Sequence, residues 1–241
     1  MPDAPIFHFL GTSHVCVLAL TAALAAGMIL LASSRWKNTA LGAERVLALL
    51  LLLEWPANVL LSAYTGELDR SLWLPAHLCD VAAIIGGFAL LSHKHLLCEL
   101  LYFWGLAGTM QGMLTPELTL DFPQPRFFMF FELHMGVVIA AVYIVLGARV
   151  QPRRGAVIRA VGLLCVYAFF AGIINLILGT NYGFLCAKPF AGSLLDYLGP
   201  WPWYVGGMGA VGLVFFTMLD APFWWMRRRH HLSLHGSAHR V

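Results

Sequence analysis

The sequence predicts an all-α fold, a polytopic transmembrane helix bundle with seven spans, and three observations carry that prediction. Asp, Glu, Lys and Arg make up only 11% of the 241 residues, apolar residues make up 60%, and mean hydropathy is +0.76. Soluble domains carry roughly 25% charged residues, so nucleic-acid binders, disordered chains and ordinary cytosolic enzymes are excluded. The apolar residues also gather into stretches of about 20, the length a helix needs to cross a hydrocarbon layer of roughly 30 Å. Finally, the basic residues alternate from one connection to the next.

The first span, 13–33, has no Lys or Arg between Met1 and Cys16, so the basic segment of a cleavable signal peptide is missing. The second, 44–64, carries Glu54 and Asn58. The third, 73–92, carries His77 and Asp80. The fourth, 95–114, holds Glu99, Gln111 and a Gly108-xxx-Gly112 stripe of the kind that lets helices approach closely. The fifth, 127–148, follows the proline-punctuated segment Asp121-Phe122-Pro123-Gln124-Pro125-Arg126 and contains Glu132 and His134. The sixth, 156–178, contains Asn175, and the seventh, 200–221, opens on Pro200 and Pro202.

Orientation follows from the cations. Arg35, Lys37, Arg45, Lys94, Arg149, Arg153, Arg154, Arg159, Arg227, Arg228, Arg229 and Arg240 fall on one side, and only Arg70, Arg126 and Lys188 on the other. Basic connections stay cytoplasmic, which puts the N-terminus outside and the C-terminus inside, in the inner (plasma) membrane. The chain reads as a single seven-helix domain over 1–226 and a basic, His-containing cytoplasmic tail over 227–241. In that tail His230, His231, His235 and His239 have neither metal-ligand spacing nor a partner carboxylate, so no metal or cofactor is expected. Phe223-Trp224-Trp225 followed by Arg227-Arg228-Arg229 reads as an interfacial anchor meeting anionic lipid. The five cysteines form no CxxC pair, and the four within spans read as small packing residues.

Ionisable groups inside a span are costly and mark cavities or partners. His77, Gln111, Glu132, His134 and Asn175 all fall in the outer half of their spans. His77 and Asp80 share a helix face three residues apart, so the carboxylate can orient the imidazole. Glu132 and His134 diverge by roughly 200°, which leaves His77 and His134 as the pair expected to converge. Catalytic candidates are therefore His77, His134 and Asp80; substrate-binding candidates are Gln111, Glu132, Asn175 and Asn181.

Leu74-Pro75-Ala76-His77-Leu78-Cys79-Asp80, Tyr102-Phe103-Trp104-Gly105-Leu106-Ala107-Gly108-Thr109, Phe122-Pro123-Gln124-Pro125-Arg126-Phe127-Phe128, Leu178-Gly179-Thr180-Asn181-Tyr182-Gly183 and Gly199-Pro200-Trp201-Pro202-Trp203-Tyr204 together resemble the YwaF-type family of bacterial integral membrane proteins, over approximately 10–225. The chain is more distantly similar to a eukaryotic TMEM-type acyltransferase that moves acyl chains between phospholipids. That resemblance implies a Cys nucleophile in a Pro-Cys-His segment and a second His on a later helix. His77 and His134 match the two histidines, whereas Ala76 stands at the nucleophile position and Cys79 lies three residues on.

Two functions are open at this level. One is a lipid-modifying enzyme, acting by acyl transfer or hydrolysis on membrane lipids, with His134 or His77 as general base and Gln111 or Asn175 holding an oxyanion. The other is a small-molecule or proton-coupled transporter or ligand-binding membrane protein that uses the intramembrane carboxylates.

Overall fold

A computed structural model describes residues 5–238, with side chains through Arg229. The helices are α1 (Thr12–Ser33), α2 (Lys37–Thr65), α3 (Leu78–Ser92), α4 (His95–Trp104), α5 (Met110–Leu114), α6 (Pro125–Leu146), α7 (Ala156–Leu178) and α8 (Trp203–Ala238). A π-helical turn over Gly105–Thr109 joins α4 to α5 in one continuous rod, so the eight helices form seven rods, one per expected span. Five of them, α1, α2, α6, α7 and α8 over Trp203–Arg229, are long and apolar enough to cross a membrane. The α8 helix runs straight through the predicted tail boundary at 227. The tail histidines lie outside the residues whose side chains are described.

The third predicted span is shorter than expected. Its helix begins at Leu78 rather than 73: Pro75 is costly in a helix interior and biases the residue before it to extended backbone. His77 takes the N-cap with φ −68° and ψ 149°. The helix ends at His93 in a left-handed conformation, φ 49°, and the chain turns back at once into α4.

The bundle is built around α6. Of its most apolar stretch 67% is buried, against 11% for α1, α7 and α8. Those outer helices expose Leu20, Leu24, Phe169, Leu176, Ile177, Val214 and Met218, the apolar surface that acyl chains cover. Close approach at the centre relies on small residues. A Cβ at Gly87 would come within 2.5 Å of Leu52 Cγ, and one at Gly105 within 3.1 Å of Ala141 Cβ.

Polar contacts tie the two ends. At the basic end, Glu99 of α4 is 2% exposed and receives Arg153 at 2.9 Å and Arg159 at 2.8 Å. Those hydrogen bonds push the already high pKa of Arg153 further up. Buried Glu44 of α2 is held between the His93 ring and the Tyr143 hydroxyl. Arg227 bonds Asp220 at 2.7 Å and Pro152 O at 2.8 Å. At the opposite end the three long connections and the N-terminal segment interlock. Phe7 N–H donates to Thr119 O at 3.0 Å, Asp121 N–H to Pro5 O at 2.8 Å, Tyr182 O–H to Arg70 O at 3.0 Å and Phe190 N–H to Glu117 at 2.9 Å. Burial raises the pKa of Glu117, and the Phe190 N–H opposes that shift.

Removing a buried ion-pair partner leaves the other charges uncompensated, while an exposed pair contributes little. Glu99→Gln is therefore expected to lower the unfolding temperature in detergent by several degrees. Glu67→Gln, which breaks the half-exposed pair with Arg126 at 2.6 Å, should shift it by less than half as much.

Candidate functional site

The site begins with the way α6 carries its histidine. Pro125 occupies the first turn of the helix, where its missing N–H costs no hydrogen bond, and His134 lies deeper along the same helix, 7% exposed. Its Nδ1 is 2.6 Å from Phe130 O. A carbonyl oxygen only accepts, so Nδ1 carries the proton and Nε2 keeps its lone pair. The ring stacks on Phe130 at 4.1 Å and 21°, which fixes its plane. Nε2 lies against Gly112 of α5, where a Cβ would come within 2.5 Å of it. Among the described residues no hydrogen-bond partner reaches Nε2.

The second histidine is positioned by loop chemistry. The Asp80 carboxylate accepts the His77 backbone N–H at 3.2 Å. It thus sets the start of α3 instead of holding the imidazole as the spacing suggested. The His77 ring instead meets Tyr182 edge-on at 5.0 Å. Tyr182 is fully buried, its phenol pKa raised by that burial, and its backbone is held by Asn175. Asn175 Nδ2 donates to Tyr182 O at 3.0 Å, and Oδ1 accepts from Tyr182 N–H at 2.7 Å and Thr180 O–H at 2.9 Å. Asn181 serves the same loop, donating to Ala187 O and accepting from Cys186 and Ala187 N–H. Both asparagine amides are therefore engaged by backbone. Gln111 is half-buried and its side chain has no hydrogen bond among the described residues.

The remaining charges converge from three helices. The carboxylates of Asp80 on α3 and Glu132 on α6 lie within electrostatic reach of Glu54 on α2, and His77 lies within reach of His134. Glu54 is 3% exposed and has no hydrogen bond among the described residues. Ala76, at the position of the expected nucleophile, is buried, and its carbonyl accepts the Tyr167 hydroxyl at 2.9 Å. Cys79 packs with the apolar core. Two clefts open at the interlocked end. One, of about 470 Å³, lies among His8, Ser13, Asp121 and Phe122. The other, of about 260 Å³, lies among Phe7, Phe9, Thr115, Pro116 and Leu118. Neither is lined by His77 or His134.

Sequence reasoning left three participants out. Glu54 stood among the intramembrane polar residues but was not assigned to the site, although a lone carboxylate after Leu50-Leu51-Leu52-Leu53 was signal enough. Tyr167 and Tyr182 gave no signal, because a tyrosine in an apolar helix or an aromatic loop reads as packing. His14 is a different case. It accepts Leu10 N–H at 3.1 Å and donates to Met113 O at 2.8 Å, so both ring nitrogens are satisfied and it clamps α1 to the end of α5.

A family model described as the TMEM164 family matches residues 9–220, a range that includes both histidines, Asp80 and Glu54. No curated protein and no solved structure matches the chain.

Overfilling a packed interior costs about 1–3 kcal/mol. Gly112→Ala is expected to cost this much and to turn the His134 ring off Phe130, seen as a shift of its imidazole NMR signals. Gly162→Ala on α7, where a Cβ meets nothing within 4 Å, should stay within about 1 kcal/mol of the parent and leave those signals in place.

Proposed function

The chain belongs to the TMEM164 family of membrane proteins, and from that membership we propose that it is a membrane-embedded enzyme acting on the acyl esters of membrane lipids, by transfer or hydrolysis. The observation that carries this reading is the free Nε2 lone pair of His134, held in a fixed plane inside the bundle and facing the α4–α5 rod.

His134 acts as general base. The nucleophile is a hydroxyl, from water or an acceptor lipid, because residue 76 is alanine and Cys79 is packed in the core. As the oxygen bonds to the acyl carbonyl carbon, its proton passes to Nε2. When the ester C–O bond breaks, the imidazolium returns that proton to the departing alkoxide. The unengaged amide of Gln111 is the group assigned to the developing oxyanion. His77 supports the polar pocket, and Asp80 positions His77 through the start of α3. Glu132 faces the lipid's polar groups, and Asn175 and Asn181 act by shaping the loop that packs on His77.

The topology that goes with this activity has seven crossings, with α3 and the α4–α5 rod added to the five long helices. The N-terminus is outside and the C-terminus cytoplasmic, as the distribution of arginine and lysine favours. The resemblance to YwaF-type proteins favours a bacterial inner membrane. A second reading, proton-coupled transport, is favoured by one specific feature, the carboxylates of Asp80 and Glu132 within electrostatic reach of buried Glu54 from two other helices.

The test uses purified protein in vesicles of phospholipid with a labelled acyl chain. Wild type should release or exchange the label, and His134→Ala should slow it by about a hundredfold or more, while Cys79→Ser leaves it nearly unchanged. Equal turnover in wild type and His134→Ala overturns the assignment. A vesicle proton flux abolished by Glu54→Gln, with no lipid turnover, would establish the transport reading.

A further inference from the structure

The hydroxyl of Thr109 stands apart from the other threonine hydroxyls of the bundle. Thr21, Thr115 and Thr217 each donate to the carbonyl four residues back, at 2.8, 3.0 and 2.7 Å. Thr109 is 3% exposed, and its Oγ1 has no hydrogen-bond partner among the described residues. The cause is local. Gly105–Thr109 is a π turn, and Met110 N–H donates to Gly105 O, five residues back. Thr109 thus sits in a widened turn, where the regular i to i−4 geometry that serves the other hydroxyls is not kept. Such turns are rare and frequently sit at functional sites.

The direction in which Thr109 points follows from its neighbours. On the same rod, a Cβ at Gly105 would meet Val137 Cγ1 and Ala141 Cβ of α6 at 3.1 Å, and a Cβ at Gly112 would meet His134 Nε2 at 2.5 Å. Residue 109 lies four positions after the first and three before the second, on the face they share. Its side chain is therefore directed at α6 between Val137 and His134. Gly108, one position earlier, turns instead to Leu78 of α3. A buried hydroxyl without a partner among the described residues, on the rod, and an imidazole lone pair with no hydrogen bond among them, on α6, thus belong to one helix interface. A polar group left without a partner at such depth is costly, and a hydroxyl-bearing ligand satisfies both.

We propose that Thr109 is a further catalytic residue, whose hydroxyl holds the attacking hydroxyl group against His134 Nε2. The proposal rests on the assignment of His134 as general base. Thr109 O–H donates to the oxygen of the nucleophile, and the nucleophile's own O–H donates to Nε2. The proton then passes to Nε2 as the oxygen bonds to the acyl carbon, and Thr109 keeps its own proton throughout. Orientation of this kind raises turnover without changing the binding of the lipid.

Thr109→Val keeps the shape and removes the hydroxyl, and Thr109→Ser restores it. In the labelled-lipid vesicles, Thr109→Val should lower kcat by about tenfold or more, the equivalent of one lost buried hydrogen bond, with KM unchanged. Thr109→Ser should stay within a few-fold of wild type. Independently of turnover, the ¹⁵N resonance of His134 Nε2, assigned by its loss in His134→Gln, should move in Thr109→Val and not in Thr109→Ser. An unmoved resonance in Thr109→Val overturns the proposal, as does an equal loss of kcat in the two variants. If the resonance moves as expected while His134→Ala leaves lipid turnover intact, the Thr109–His134 pair stands and the assignment of His134 as base fails.

Discussion

Inside hydrocarbon there is no water to satisfy a stray polar atom, and this constraint governs the molecule. Several of its buried polar groups meet it by reaching another helix. Glu99 ties α4 to Arg153 in the connection after α6 and to Arg159 at the start of α7. Glu44 ties α2 to His93 and Tyr143. His14 ties α1 to α5, and Tyr102 and Trp104 reach carbonyls on α8 and α7. Helices that expose so much apolar surface to lipid gain little from hydrophobic attraction to one another, so these links and close packing at glycine and alanine fix which helix sits beside which.

Against that background the groups left unpaired gain meaning. His134 Nε2, the hydroxyl of Thr109 and the carboxylate of Glu54 lie towards the interlocked end, on α6, the α4–α5 rod and α2. Glycine brings the rod close to the first of these, since Gly112 leaves the space that the imidazole fills. The same rod carries the π turn that frees the threonine. Packing and site therefore depend on one stretch of chain, Gly105 to Gly112.

Much of the architecture was legible in the sequence, because span length and apolar runs are imposed by the bilayer. The rods of α1, α6 and α7 start and end within a few residues of their expected bounds. The departures have local causes. Pro75 delays α3, and α2 begins early because nothing after Trp36 breaks the helix before the apolar run. The site was half legible. His77, His134 and Asp80 stood out as polar residues in apolar surroundings. The partner of each group depends on backbone geometry that spacing does not reveal. Asp80 meets a backbone N–H instead of a ring, Asn175 serves its own loop, and Thr109 looks like any helical threonine until its π turn and unpaired hydroxyl are seen.

The shortness of α3 has its own consequence. Fifteen residues reach about 22 Å at 1.5 Å per residue, well under the roughly 30 Å of a hydrocarbon layer. In a seven-crossing bundle the difference is met by a locally thinned bilayer or by the non-helical stretch from Trp73 to Ala76. Such backbone tolerates that depth only when protein screens it, and here the Tyr167 hydroxyl covers the Ala76 carbonyl while Tyr182 covers the His77 ring. The two tyrosines thus act as a plug in a notch, and the depth at which the His77 ring lies is set by a helix that stops short.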